Sequence, residues 1–215
     1  MLVVLPAQII SASELFSRLG SMTIVDARDR GFEAGYIPGS QSMKWKDWTP
    51  IKPDWLSCIL GQAKFWGKVP NDLQRVEKNL GALGLSSDQV IVVVGEPHGW
   101  GEEGRIAWEL MYFGAKKMSL LNGGFSTWMK AGFAIEKGRT PKPSVREFKV
   151  TCDEARRASL EQVKAAVYAR GVDLLDVRSL EEFNGKKMVP QKRGGIFQAR
   201  ASRRLKAFIR VTDCI

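Results

Sequence analysis

The chain has 215 residues, 44% of them hydrophobic and 26% charged, enough to build one large globular domain or two modest ones with proper cores. No run of about 18 apolar residues is present, which excludes a membrane-spanning helix, and the opening MLVVLPAQII lacks the positive flank and small-residue cleavage site of a signal peptide, so a cytoplasmic location is expected. Of the formal net charge of +10, a share of +4 falls in the last 20 residues (Arg200, Arg203, Arg204, Lys206 and Arg210 against Asp213), so the body of the chain is only modestly basic and nucleic acid is not an expected partner.

In chain order, Ser11 followed by Glu14 predicts a capping box. Leu15, Phe16 and Leu19 then form an apolar helix face, and Gly20 ends the helix. MTIVD (22–26) reads as a buried strand ending in aspartate, and ARDRGFEAGYIPGS beyond it carries the Pro38-Gly39 signature of a tight turn. NDLQRVEKNLGALGL has apolar residues at 73, 76, 80 and 83, the spacing of a helix capped at Asn71. QVIVVVG is a β-branched run of the kind that forms a central parallel strand. A Gly-rich loop, the helix RIAWELMYFG, the strand KMSLL, and the turn and short helix NGGFSTWMKAG follow. The alternation predicts an α/β fold with a parallel sheet and crossover helices on its faces.

The stretch EKGRTPKPSVREF (136–148), with two prolines and little apolar content, reads as an interdomain linker. A second start follows it. Ser159 with Gln162 repeats the capping box, Leu160, Val163 and Val167 the apolar face, Gly171 the stop, and VDLLD (172–176) the strand ending in aspartate. Asp26-x-Arg28 is thus matched by Asp176-x-Arg178, an internal duplication with a period of 150 residues. The expected organisation is a complete domain at 8–138, a linker at 139–150, the start of a second copy at 151–195 and a basic tail at 196–215.

VDARDRGFEAGYIPGS and LNGGFSTWMKAGF together resemble the two flanking motifs of the rhodanese superfamily, in particular its tandem two-domain sulfurtransferases of the thiosulfate sulfurtransferase type. The first is similar to a D-x-R motif followed by a G-H-I-P-G-A turn, with Tyr36 where the family more often has histidine. The second is similar to L-x-G-G-x-x-x-W-x-x-x-G. The resemblance covers about residues 8 to 195 and implies a rhodanese-like domain with a central parallel sheet flanked by helices, plus an incomplete second copy. Asp26, Arg28, Gly39, Gly123, Gly124 and Trp128 are expected to serve structure: an ion pair fixing the chain as it leaves the sheet, a tight turn, and an indole on the core.

Family chemistry implies a cysteine just after the central strand, in a loop opening a helix, where backbone N–H groups and the helix dipole lower the thiol pKa. The thiolate takes the outer sulfur of thiosulfate as a persulfide and passes it to a thiophilic acceptor. In this chain the loop reads GEPHGWGEEGR and has no cysteine, while Glu96, Glu102 and Glu103 would repel a dianion. His98, the chain's one histidine, has no nucleophile beside it and reads as a surface residue. The cysteines at 58, 152 and 214 form no C-x-x-C pair, which argues against a disulfide framework or a metal centre. Cys58 lies in an apolar insert, Cys152 precedes the first helix of the second copy, and Cys214 follows no strand, so no catalytic residue is assigned. By resemblance, Asp176, Arg178 and Glu182 would orient the active loop and help define an anion pocket, with Arg178 touching substrate in a complete homologue.

The second copy departs from the pattern at GGIFQAR (194–200), where the family turn H-I-P-G-A is due. Written with the synonymous codons CAT ATT CCA GGC GCG, that turn without its first base reads ATA TTC CAG GCG CG, which encodes Ile-Phe-Gln-Ala-Arg, the residues found. A single-base deletion after Gly195 is therefore the expected origin of 196–215, and the alternative is a natural basic tail. A fragment with one helix, one strand and a loop cannot close a core, so 151–195 is expected to be marginally ordered or to dock on the first domain. The implied function is sulfur transfer from thiosulfate or 3-mercaptopyruvate, with a small anionic donor and a thiophilic acceptor as partners and no cofactor or metal, in a chain that lacks its nucleophile. The alternative is a non-catalytic binding or regulatory module. A phosphatase relative shares the fold but requires a longer cysteine-and-arginine loop.

Overall fold

The computed structural model describes residues 7–48, 69–97, 99, 101–169, 172, 174–176, 180–186 and 206–207. Arg178, Cys58, His98 and Cys214, and the GGIFQAR stretch, lie outside them. The chain divides into two compact units, Met1–Arg156 and Arg157–Ile215.

In the first unit, β1 (Gln8–Ile10), β2 (Thr23–Asp26), β3 (Gln41–Ser42), β4 (Val90–Val94) and β5 (Lys117–Leu121) form one parallel sheet in the order β1-β5-β4-β2-β3. The β-branched strands are central because both of their faces are covered. Ile91 and Val93 of β4 enter one apolar cluster with Val25, while Val92 and Val94 enter another with Ile24. The first cluster is completed by Val76 and Leu80 of α3 (Leu73–Ala82) and by Ile106 and Leu110 of α4 (Glu102–Tyr112). The second is completed by Ala12 and Leu15 of α1 (Ala12–Ser17) and by Phe125 and Trp128 of α5 (Gly124–Lys130). A short helix, α2 (Trp45–Trp48), adds Trp48 to the first cluster.

Two N-caps differ from the sequence expectation, and α1 ends at Ser17 with Arg18 as its C-cap, short of Gly20. Ser11 Oγ accepts from the Glu14 N–H at 3.1 Å, but the Glu14 carboxylate takes Arg18 one turn on at 3.4 Å, so the cap is one-sided. The cap of α3 is Asp72, not Asn71. Its Oδ1 accepts from the Arg75 N–H at 3.0 Å, and either residue type is a good acceptor one position apart.

The stretch read as a linker has no helix or strand at 139–150, yet its second half is held on the first unit. Phe148 is buried in the first cluster, the Arg146 N–H donates to Gly81 O at 3.0 Å, and the Val150 N–H donates to Glu77 Oε1 at 2.9 Å. Thr151 and Asp153 donate their N–H groups to Phe113 O and Tyr112 O at 3.0 and 2.8 Å. A charged, proline-containing segment can be fixed this way because one buried aromatic supplies the apolar contact while neighbouring backbone groups find partners.

The second unit has a helix, α6 (Leu160–Tyr168), whose capping box is reciprocal. Ser159 Oγ accepts from the Gln162 N–H at 3.2 Å, and Gln162 Oε1 accepts from the Ser159 N–H at 2.7 Å. Next come β6 (Leu175–Asp176), α7 (Leu180–Phe183) and β7 (Lys206–Ala207), and β6 and β7 pair in parallel. Leu160, the first residue of α6 as the buried Ala12 is of α1, is 68% exposed.

Glu109, on the buried side of α4, is fully enclosed. Its Oε1 accepts from Arg105 Nη2 at 2.7 Å, and its Oε2 has no hydrogen-bond partner. Burial raises its carboxyl from 4.5 to about 7, with Arg105 opposing the shift. Between those two values the folded protein keeps a proton that the unfolded chain has released, so this group's contribution to stability falls as pH rises through the window. Urea titrations of the full chain between pH 4.5 and pH 8 should show that decline. In Glu109→Gln it should flatten and leave the variant more stable at pH 8 by roughly 1–3 kcal/mol; an unchanged slope contradicts the assignment.

Candidate functional site

From β2 the chain runs to β3 on one side, and from β4 to β5 on the other, so the loops after β2 and β4 diverge at the carboxyl end of the sheet. Such a switch point is where open parallel sheets form their crevice. The residues gathered there come from three loops.

Asp26 ends β2 fully buried, and Arg28 is 7% exposed. Arg28 Nε donates to Asp26 Oδ1 and Oδ2 at 2.9 and 3.0 Å, its Nη2 donates to Oδ2 at 2.6 Å, and its backbone N–H reaches Oδ1 at 3.0 Å. Burial pushes the Asp26 carboxyl up, and the contacts to Arg28 oppose it. Nη2 also donates to Gly35 O at 2.7 Å, which pins the outgoing loop, and the guanidinium lies 3.8 Å over the Phe125 ring. Beyond the loop, Gly39 at φ +79° shapes the turn in which the Ser40 N–H donates to Ile37 O at 3.0 Å. Tyr36 is 1% exposed, stacked on Phe32, and bridged through its backbone to Glu136.

The loop after β4 leads from Gly95 to Gly101 and opens α4. Glu96 faces Arg28, Oε1 to Nη1 at 3.7 Å, and its Oε2 accepts from Ser126 Oγ at 2.6 Å. The third loop, after β5, brings Gly123 and Gly124 to the same point. The Phe125 N–H donates to Gly95 O at 2.9 Å, and a Cβ on Gly124 would stand 2.2 Å from that oxygen. Trp128 is fully buried and donates from its indole to Ala134 O at 3.0 Å.

The structure thus brings Asp26, Arg28, Gly123 and Gly124 together, with Gly39 and Trp128 shaping the flanks. Sequence reasoning missed Ser126 and Phe125. It read Glu96 only as a repelling charge, because the pairing with Arg28 is tertiary. Asp176 ends β6 and Glu182 lies in α7, while Arg178 is outside the described residues. Cys152 is half-buried against the first apolar cluster, on the segment that crosses α3 and α4. Among the described residues, no group of three or more His, Cys, Asp or Glu could hold a metal ion, and no helix is long and apolar enough to cross a membrane.

The model of the rhodanese-like domain matches residues 11–131, from the cap of α1 to the end of α5. The chain belongs to the rhodanese-like domain family. It is 26% identical over 188 residues to a putative thiosulfate sulfurtransferase of Mycobacterium leprae, covering 85% of this chain and 61% of that protein. It is 33% identical over 113 residues to a thiosulfate sulfurtransferase of Cricetulus griseus, covering 52% of this chain and 37% of that one. Among solved structures, SseA from Escherichia coli, described as a 3-mercaptopyruvate sulfotransferase, superposes with a TM-score of 0.69 at 20% identity, over 88% of this chain and 74% of that one. The 3-mercaptopyruvate sulfurtransferase from Leishmania major gives 0.69 at 15% identity, over 90% and 53%. These two structures show the rhodanese fold, and the chain spans about three fifths or less of the two curated relatives.

In this rhodanese-like domain, Gly124 adopts φ +61° against the Gly95 carbonyl, whereas Gly132 has a similar φ of +73° with nothing within 4 Å of its would-be Cβ. Gly132→Ala should therefore cost only backbone strain, about 1 kcal/mol, and Gly124→Ala about 2–4 kcal/mol in urea denaturation. Equal costs would mean that the contact between the β4 and β5 loops does not constrain the site.

Proposed function

We propose that the chain is a sulfurtransferase polypeptide of the rhodanese-like family that does not itself complete sulfur transfer. In the reaction, a cysteine thiolate attacks the outer sulfur of thiosulfate and releases sulfite; an acceptor such as cyanide then takes the sulfur from the persulfide and regenerates the thiolate. For 3-mercaptopyruvate the leaving group is pyruvate. The observation that carries the reading is the loop after β4. It stands at the switch point and opens α4 as the reaction requires, but residues 95–101 contain no cysteine. The names of the curated relatives support the choice of reaction. In a complete homologue the second copy would supply the missing centre, with Asp176, Arg178 and Glu182 orienting the active loop and helping to define the anion pocket, and Arg178 contacting the donor. We place the partners as a small anionic donor and a thiophilic acceptor in the cytoplasm, with no nucleic acid, and attribute 196–215 to a shifted reading frame after Gly195.

A binding or regulatory module is the second reading, favoured by the Glu96 contacts to Arg28 and Ser126 that fill the first site. One assay separates the two. Thiosulfate-to-cyanide sulfur transfer is expected to be absent in this chain and present in a version with the frame restored after Gly195. Activity in the present chain overturns the reading and points to Cys58, Cys152 or Cys214; inactivity of a folded, restored chain favours the module. Hydrogen exchange bears on the second copy, whose amides at 172–176 should exchange faster than those of Val90–Val94.

A further inference from the structure

The nitrogens of Arg28 are unequally used. Nε and Nη2 serve Asp26, and Nη2 also serves Gly35 O, so Asp26 answers the charge from one side. Nη1 forms an ion pair with Glu96 Oε1 of the loop after β4 at 3.7 Å, beyond direct hydrogen-bond range. The other oxygen of that carboxylate is held tightly by Ser126 Oγ at 2.6 Å. A guanidinium with a 6% exposed side chain and a hydroxyl from the first turn of α5 thus converge on one carboxylate, whose own side chain is 35% exposed at the mouth of the crevice.

We propose that Glu96 is a resident ligand: its carboxylate fills a subsite for a small monocarboxylate made by Arg28 and Ser126, and so keeps the first copy closed to soluble anions. The class is set by charge as well as shape. With Asp26 already paired, Arg28 has little more than one charge interaction to offer. A Cβ on Gly95 would clash with Glu103 Oε2, so that carboxylate stands beside the start of the loop, and Glu102 shares the first turn of α4. A single negative charge is tolerated there and a dianion is opposed. The inference goes beyond the sulfur-transfer reading and does not need it, since its readout is binding.

The test is chemical rescue in the full chain. Glu96→Ala removes the internal carboxylate and should lower the melting temperature. Formate should then restore it saturably, by about 3 °C at roughly tenfold its dissociation constant, while chloride at equal ionic strength does not. Amide shifts on formate addition should centre on Gly95 and Ser126. Adding Ser126→Ala should weaken formate binding by roughly fivefold. The wild type, and Glu96→Gln, whose amide still fills the space, should show no formate-specific shift, and thiosulfate should stabilise Glu96→Ala less than formate. If Glu96→Ala does not fold, Glu96→Ser is expected to take formate in the same way. Formate stabilising wild type and variant alike, or neither folded variant saturably, overturns the proposal.

Discussion

A guanidinium buried at the end of a strand has to be answered by fixed partners, and the first unit is arranged around that requirement. Asp26 supplies the countercharge, Gly35 a carbonyl and Phe125 a ring face. The three come from β2, from the loop behind it and from α5, so a single side chain ties the end of β2 and its outgoing loop to α5. Buried pairs of this kind contribute little net stability compared with apolar packing, and losing one partner is costly. What the pair contributes is the path of the chain: the outgoing loop can take only the course that satisfies Arg28.

The same carboxyl end of the sheet shows how the site is closed. Gly124 lets the β5 loop press on Gly95, and Glu96 is then placed between Arg28 and Ser126. Where the D-x-R and Gly-Gly motifs meet, the side chain that faces Arg28 is thus a carboxylate.

The central sheet was legible because β-branched runs such as VIVVV can be buried on two faces only as inner strands. The edge strands were not. Gln8–Ile10 and Gln41–Ser42 are too short to show a period, and Ile9 is 62% exposed, so pairing with a neighbour rather than patterning makes them strands. The Asp26-Arg28 corner could be read from its motif, whereas Ser126 could not, since a serine in a helix announces nothing until Glu96 arrives from another loop. In the 136–148 stretch, composition shows charges and prolines but not the burial of its one phenylalanine, Phe148, in the first apolar cluster.

In the second unit the reciprocal cap at Ser159 and Gln162 completes a pairing that Ser11 and Glu14 make on one side only. The central functional claim is that sulfur enters a chain of this family only through a cysteine in the loop after the central strand. Intact-mass analysis of this chain after incubation with thiosulfate, before and after cyanide, tests it most directly. The account predicts no added sulfur on any of the three cysteines. A single added sulfur that cyanide removes would contradict it and identify a nucleophile elsewhere in the chain.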